Sequence, residues 1–363
     1  MPEVAAAQAS PLAVGIATLV MVALNAYVVL GGADFGAGVW DLLARGPRAE
    51  RQRAAIADGI GPIWEANHVW LIFVVVLLFS CFPPVYAHLS TVLHIPLTLM
   101  LVGVVLRGSA FTFRAYDSTD SPVQRQWGRI FAVSSTVTPV LLGMCVGANA
   151  SGALAVSANG DFVTRYVAPW LSPFTVTIGL LGLAVFAFLA AVYLAVEITE
   201  PELQEDFRAM ALRAAVVVAV LALAGLWFGR GTLAEVTAAL TTRPLTLLFQ
   251  TLTAIAAVTT LTALWRRRYR LAQGAAILQV SGIVWGWGYA QYPALVPGVH
   301  TIGSAAAPEV TLRLVAIGTA VGLVILLPSL AYLFRLFKAE TTRPFVRVDT
   351  AEHPVPMPPR VGR

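Results

Sequence analysis

Runs of apolar side chains long enough to cross a bilayer recur along this chain, and they leave it few folds to adopt. Crossing a hydrocarbon core takes about 20 mostly apolar helical residues. Nine stretches meet or approach that length: 11–43, 53–81, 86–113, 126–150, 171–197, 208–229, 244–266, 271–289 and 309–337. The eighth is the weakest, being short and rich in Gly and Trp. Backbone groups in lipid must pair within their own segment, so the reading is all-α and polytopic. Of 363 residues, 58% are hydrophobic and 12% charged. A soluble domain carries about a quarter charged residues.

The basic residues test the span count. With nine spans, one side receives Arg45, Arg48, Arg51 and Arg53, then Arg114, Arg125 and Arg129, then Arg208 and Arg213. It also receives Arg266, Arg267, Arg268 and Arg270, and six more from Arg335 to Arg363. The opposite side holds only Arg165, Arg230, Arg243 and Arg313, and Arg107 lies inside a span. Arginine and lysine accumulate on the cytoplasmic side, which sets the N-terminus outside and the C-terminus inside. No basic run is interleaved with aromatics, so no nucleic-acid partner is expected. The opening MPEVAAAQAS has no Lys or Arg, so no secretory signal is expected. One transmembrane domain over 1–342 is expected, then a Pro- and Arg-rich tail, 343–363, disordered in the cytoplasm.

The second stretch departs from plain apolarity. Its RAAIADGIGPIWEANHVWLIF carries Asp58, Glu65, Asn67 and His68, flanked by Trp64 and Trp70. Residues three or four apart share a helix face, which groups Trp64, Glu65 and His68. Ionisable groups at bilayer depth cost roughly 2.5–3.5 kcal/mol each on insertion scales, so they face protein or water and mark function. Glu65 stands about 12 residues beyond Arg53, roughly 18 Å deep at 1.5 Å per residue. Asp58 is about two turns shallower on the same 3.6-residue geometry. Asp58, Glu65 and His68 therefore form a ladder suited to proton transfer. The plain alternative is a neutral Glu65 bonded to Asn67 or to a neighbouring carbonyl.

The other spans add single features. Gly32 and Gly36 form a small-xxx-small pair that admits a close helix. Asp34 between them is either a helix-end carboxylate or a neighbour of the polar face on the second span. Arg107 needs a carboxylate, and Asp34 is nearest by depth. His88 and His94 hydrogen-bond neighbours or ligate haem. Ser134, Ser135, Thr136 and Thr138 can serve backbone groups freed by Pro139. Cys81 and Cys145 are read as buried thiols, not a metal site or a disulfide. Trp285, Trp287, Tyr289 and Tyr292 make an aromatic belt.

GGADFGAG, IGPIWEANHVWLI and LRGSAFTFR, in this order and spacing, resemble subunit II of the cytochrome bd-type quinol oxidases. The resemblance continues through Trp127, Phe131, Pro139, Gly143, Gly147, Pro173-Phe174, EITE at 197–200, Tyr292-Pro293 and LPSLAYLF. It implies a nine-span subunit of a heterodimer in a bacterial cytoplasmic membrane. That complex reduces dioxygen to water with electrons from quinol. Haems of the b and d types, and the quinol-oxidising loop, then belong to subunit I. Subunit II binds no haem or metal itself, can hold a structural quinone or lipid, and shares a cytoplasmic proton route. A small accessory subunit is also compatible. The family's acids fall on Glu65 and Asp34.

Two positions depart from the family pattern: Gly31 and Thr112 stand where acids are frequent. The expected route therefore runs through Asp34, Asp58, Glu65 and His68, or through Thr112 with water. Competing expectations are a stand-alone proton-coupled carrier, and a haem protein using His68, His88 or His94.

Overall fold

Helices form where the apolar stretches fall, and proline sets many of their starts. The computed structural model describes residues 9–60, 64–116, 122–155, 160–231 and 242–340. Helix α1 is Pro11–Ala26, with Ser10 capping it by accepting from the Ala13 N–H at 3.2 Å. A π-helical turn, Tyr27–Gly31, leads directly into α2, Gly32–Leu43. Next come α3 (Ala49–Ile60), α4 (Trp64–Cys81), α5 (Pro83–Val92), α6 (His94–Tyr116) and α7 (Pro122–Ala150). The short α8 (Phe162–Tyr166) precedes α9 (Pro173–Glu197) and α10 (Pro201–Gly229). Then follow α11 (Pro244–Trp265), α12 (Tyr269–Gln291), the short hairpin β1 (Ala294–Val296) and β2 (His300–Thr301), and α13 (Ile302–Ala305). The last helix is α14, Glu309–Glu340. Pro at the first helical turn costs no hydrogen bond, and it opens α1, α5, α7, α9, α10 and α11.

Among the described residues, seven helices are long and apolar enough to cross a membrane. The pair His68–Cys81 and Pro83–Val92 passes only jointly, bent by 117° at Phe82. The sequence reads 86–113 as one span, but the helix breaks at Leu93 (φ −100°, ψ 16°). Pro96 explains the break: it has no N–H for the Val92 carbonyl and its ring crowds that oxygen. The eighth stretch does form a full helix, α12, although it is not apolar enough to count among the seven.

Helix α9 is the centre of the bundle, with two thirds of its most apolar window buried. It packs against α2, α7, α10 and α12. Small residues allow the approach. A Cβ on Gly36 would enter the Phe186 backbone carbonyl, and one on Gly143 would lie 2.8 Å from Gly179 Cα. Across the α2–α9 contact, the Trp40 indole N–H donates to the Ala187 carbonyl at 2.7 Å. A second apolar cluster gathers α1, the α4–α5 corner and the hairpin, around Leu77, Phe82, Leu154 and Val296.

At the arginine-rich end, Arg53 donates to the carbonyls of Asp41 and Ala44 at 3.3 and 3.0 Å, closing the α2–α3 turn. Arg48 grips both carboxylate oxygens of Asp206, and Gln52 donates to the same group at 2.8 Å. Arg51 pairs with Glu200 and Glu202. The chain divides into two units, Met1–Thr319 and Ala320–Arg363; the described part of the second is helical, with Pro328 inside.

Candidate functional site

A helix interior seldom holds a bare guanidinium, and the burial of Arg107 singles out one place in the bundle. Arg107 projects from α6 with 2% of its side chain exposed, as does Asp34 on α2. One guanidinium nitrogen donates to Asp34 Oδ1 and lies 3.4 Å from the Asp34 carbonyl. Its Nε donates to Ser135 Oγ on α7 at 3.0 Å. The guanidinium carbon lies over the rings of Phe35 and Phe131, 4.7 and 5.2 Å from their centroids. One side chain thus joins three helices by charge, hydrogen bonding and cation–π contact. Asp34 Oδ2 is buried and has no hydrogen-bond partner among the described residues.

The π-helical turn just before Asp34 matters to this placement. One extra residue per turn shifts the register of everything after it, and such turns are frequent at functional sites. Behind it, Tyr27 is 1% exposed. The His68 ring on α4 meets Tyr27 edge-on at 6.5 Å and Phe35 at 5.9 Å. His68 therefore shares Phe35 with the ion pair.

The remaining sequence candidates separate. Asp58 lies on α3 and is exposed. The backbone of Trp64, Glu65 and Asn67 belongs to α4, but their side chains lie outside the described residues. Trp70 is half-buried against the main core. Thr112 is exposed and its hydroxyl donates to the Gly108 carbonyl at 3.1 Å. Gly32 faces Phe186, whose ring a Cβ would meet at 2.7 Å. Ser135, expected to serve the backbone near Pro139, turns its hydroxyl to Arg107; Thr136 donates to the Ala132 carbonyl at 2.8 Å. The expected Arg107–Asp34 pairing is present.

Sequence reasoning passed over Tyr27, Phe35 and Asp41. Asp41 is a second buried acid on α2, 5% exposed. Its only linear signal is that it stands seven residues after Asp34, two turns along the same face.

Two other histidines each set one ring nitrogen against a backbone carbonyl. His88 Nε2 is 2.9 Å from the Leu154 carbonyl, and His94 Nδ1 is 2.9 Å from that of Thr91. Their rings also meet His300 and Tyr166 edge-on at 5.6 and 5.0 Å. Among the described residues, no three His, Cys, Asp or Glu side chains converge as metal ligands would.

Many long apolar helices around a buried, desolvated ion pair define a polytopic α-helical membrane protein with a polar site inside the bundle. The chain belongs to the cytochrome bd terminal oxidase subunit II family, which it matches over residues 12–337. It is 31% identical over 216 residues to the cytochrome bd-I ubiquinol oxidase subunit 2 of Escherichia coli K12, covering 58% of this chain and 55% of that protein. It is 32% identical over 126 residues to the cytochrome bd ubiquinol oxidase subunit 2 of Bacillus subtilis 168, covering 35% of this chain and 36% of that one. The matched region thus spans about half the length, or less, of these curated relatives. The structure of bd oxidase from Geobacillus thermodenitrificans contains a chain of the same fold, with a TM-score of 0.76 and 22% identity. The match covers 90% of this chain and 99% of that one.

Proposed function

We propose that this chain is the haem-free subunit II of a bd-type terminal quinol oxidase, spanning a bacterial cytoplasmic membrane nine times with its C-terminus inside. The family membership carries this reading, and the buried Asp34–Arg107 pair gives it a physical focus. Haems b and d, and the oxidation of quinol, belong in this reading to the larger subunit I. Protons consumed at dioxygen must reach the partner from the cytoplasm. In this chain they would pass Asp58 at the exposed end and Glu65 on α4, then the His68–Tyr27–Asp34 neighbourhood. Arg107 holds one oxygen of Asp34 and leaves Oδ2 as an acceptor inside the bundle. A structural quinone or lipid, and a small accessory subunit, are compatible additions.

The test is a Glu65→Gln variant purified with its haem-bearing partner. Oxygen-reduction turnover should fall by about 10²-fold, within the range for losing one positioned proton-transfer group. The haem absorption spectrum should stay unchanged. Wild-type turnover in that variant would remove Glu65 from the route.

A further inference from the structure

At the arginine-rich end of the bundle, α10 and α11 make few contacts, while α11 packs closely along α12. The gap between them is a groove of about 470 Å³, lined by Arg208, Leu212, Val258, Leu261, Thr262 and Trp265. Its walls are mainly apolar, and Trp265 stands at its rim, 78% exposed. Trp at a membrane boundary marks the headgroup level.

The rim is strongly cationic. The chain leaves α11 as Trp265-Arg266-Arg267-Arg268, followed by Tyr269-Arg270. Glu205 alone, among the described residues, is ion-paired with this turn: it holds Arg208 and reaches Arg267 Nε at 3.4 Å. Arg266, Arg268 and Arg270 are exposed, and no described acid pairs with them.

The turn that presents them is held at a cost. The Arg268 N–H donates to the Ala263 carbonyl at 2.8 Å and the Arg267 N–H to that of Leu264 at 3.2 Å. This is the two-bond helix terminus normally built on glycine. Here Arg267 occupies the left-handed position, with φ 56°. An L side chain is disfavoured there, and such outliers gather at ligand-holding sites.

We propose that this groove is a binding site for an anionic phospholipid. The acyl chain lies along Leu212, Val258 and Leu261. The phosphate sits at the rim against Arg266 and Arg268, beside the Trp265 indole. The arrangement supplies both things such a lipid needs, an aliphatic slot ending at headgroup depth and cations without internal partners. A neutral headgroup would leave that charge unanswered.

The full chain, purified from membranes in mild detergent with its accompanying subunits, is stripped of lipid. It is then offered phosphatidylglycerol, phosphatidylcholine of the same acyl chains, or inorganic phosphate, with bound ligand read by native mass spectrometry. Phosphatidylglycerol should be retained well above phosphatidylcholine. Retention should weaken about fivefold for each arginine removed in Arg266→Gln and Arg268→Gln, as interfacial charges contribute. Leu261→Trp fills the slot while keeping every arginine, and should also lose the lipid. Inorganic phosphate should neither bind alone nor displace the lipid. Equal retention of the two lipids, unchanged retention in both kinds of variant, displacement by phosphate, or a neutral quinone extracted from the groove would each overturn the assignment.

Discussion

Arg107 shows how much one side chain can decide. Taking a charge pair out of water is expensive, and attraction repays it only when the geometry is complete. Here Asp34, Ser135 and two aromatic faces surround the guanidinium, while Asp34 Oδ2 stays unpaired among the described residues. Removing one partner leaves an uncompensated buried charge. Arg107→Met should therefore destabilise the chain by about 3–5 kcal/mol. Adding Asp34→Asn to it should restore much of that loss, as measured by thermal unfolding in detergent. If the double variant is no more stable than the single one, the pair is not what Arg107 serves. At the opposite end, burial and the nearby His88 hold the His300 imidazole below its ordinary pKa of 6.5. The sign follows from proton binding: on acidification the unfolded chain protonates this ring before the folded one does. Stability at the hairpin is then complete above 6.5 and falls as pH drops through that value. Amide protection across 294–301, taken relative to the intrinsic exchange rate at each pH, should be lower at acidic than at neutral pH, and His300→Gln should flatten the difference.

Between elements, the contact of α2 with α9 is the one the sequence announced most clearly. Gly32 and Gly36 were expected to admit a close helix, and Phe186 and its backbone occupy the space. Gly36→Ala drives a methyl into a backbone carbonyl, which cannot rotate away. A loss of about 1–3 kcal/mol is expected, the range for overpacking. Gly15→Ala is the control, since nothing lies within 4 Å of its added Cβ. It should be neutral or gain up to about 1 kcal/mol in helix propensity. Equal behaviour of the two variants in thermal unfolding would mean that the contact does not limit stability. The break at Leu93 belongs to this scale too. Pro96 lies inside an otherwise apolar run, so hydropathy alone reads through it.

For the whole molecule, the sum of exposed apolar surface requires a lipid or protein environment. In α14 the most apolar window over Glu309–Leu333 has no buried residue, whereas α9 is largely enclosed. The proposed orientation can be checked directly, because native Cys81 and Cys145 are buried and should label little. In intact spheroplasts, an impermeant thiol reagent should modify Asp161→Cys and spare Glu50→Cys. The reverse pattern would invert the topology.

Burial costs act along the chain, so they are legible in it. The need for many spans, the helix starts at proline, the costly carboxylates and the demand of Arg107 for a partner near its own depth all follow from local composition. The family resemblance rests on similarly local blocks. Which groups meet is another matter, because Arg107 and Asp34 are 73 residues apart and Arg107 and Ser135 are 28. Helix rotation and tilt decide those meetings, and both are set by packing of small residues against neighbours. Only the folded bundle could place Phe35 and Phe131 on the guanidinium, insert a π-helical turn ahead of Asp34, and set α10 apart from α11 beside an arginine-rich turn. Hydropathy records the cost of leaving water; it carries no information on which partner compensates it.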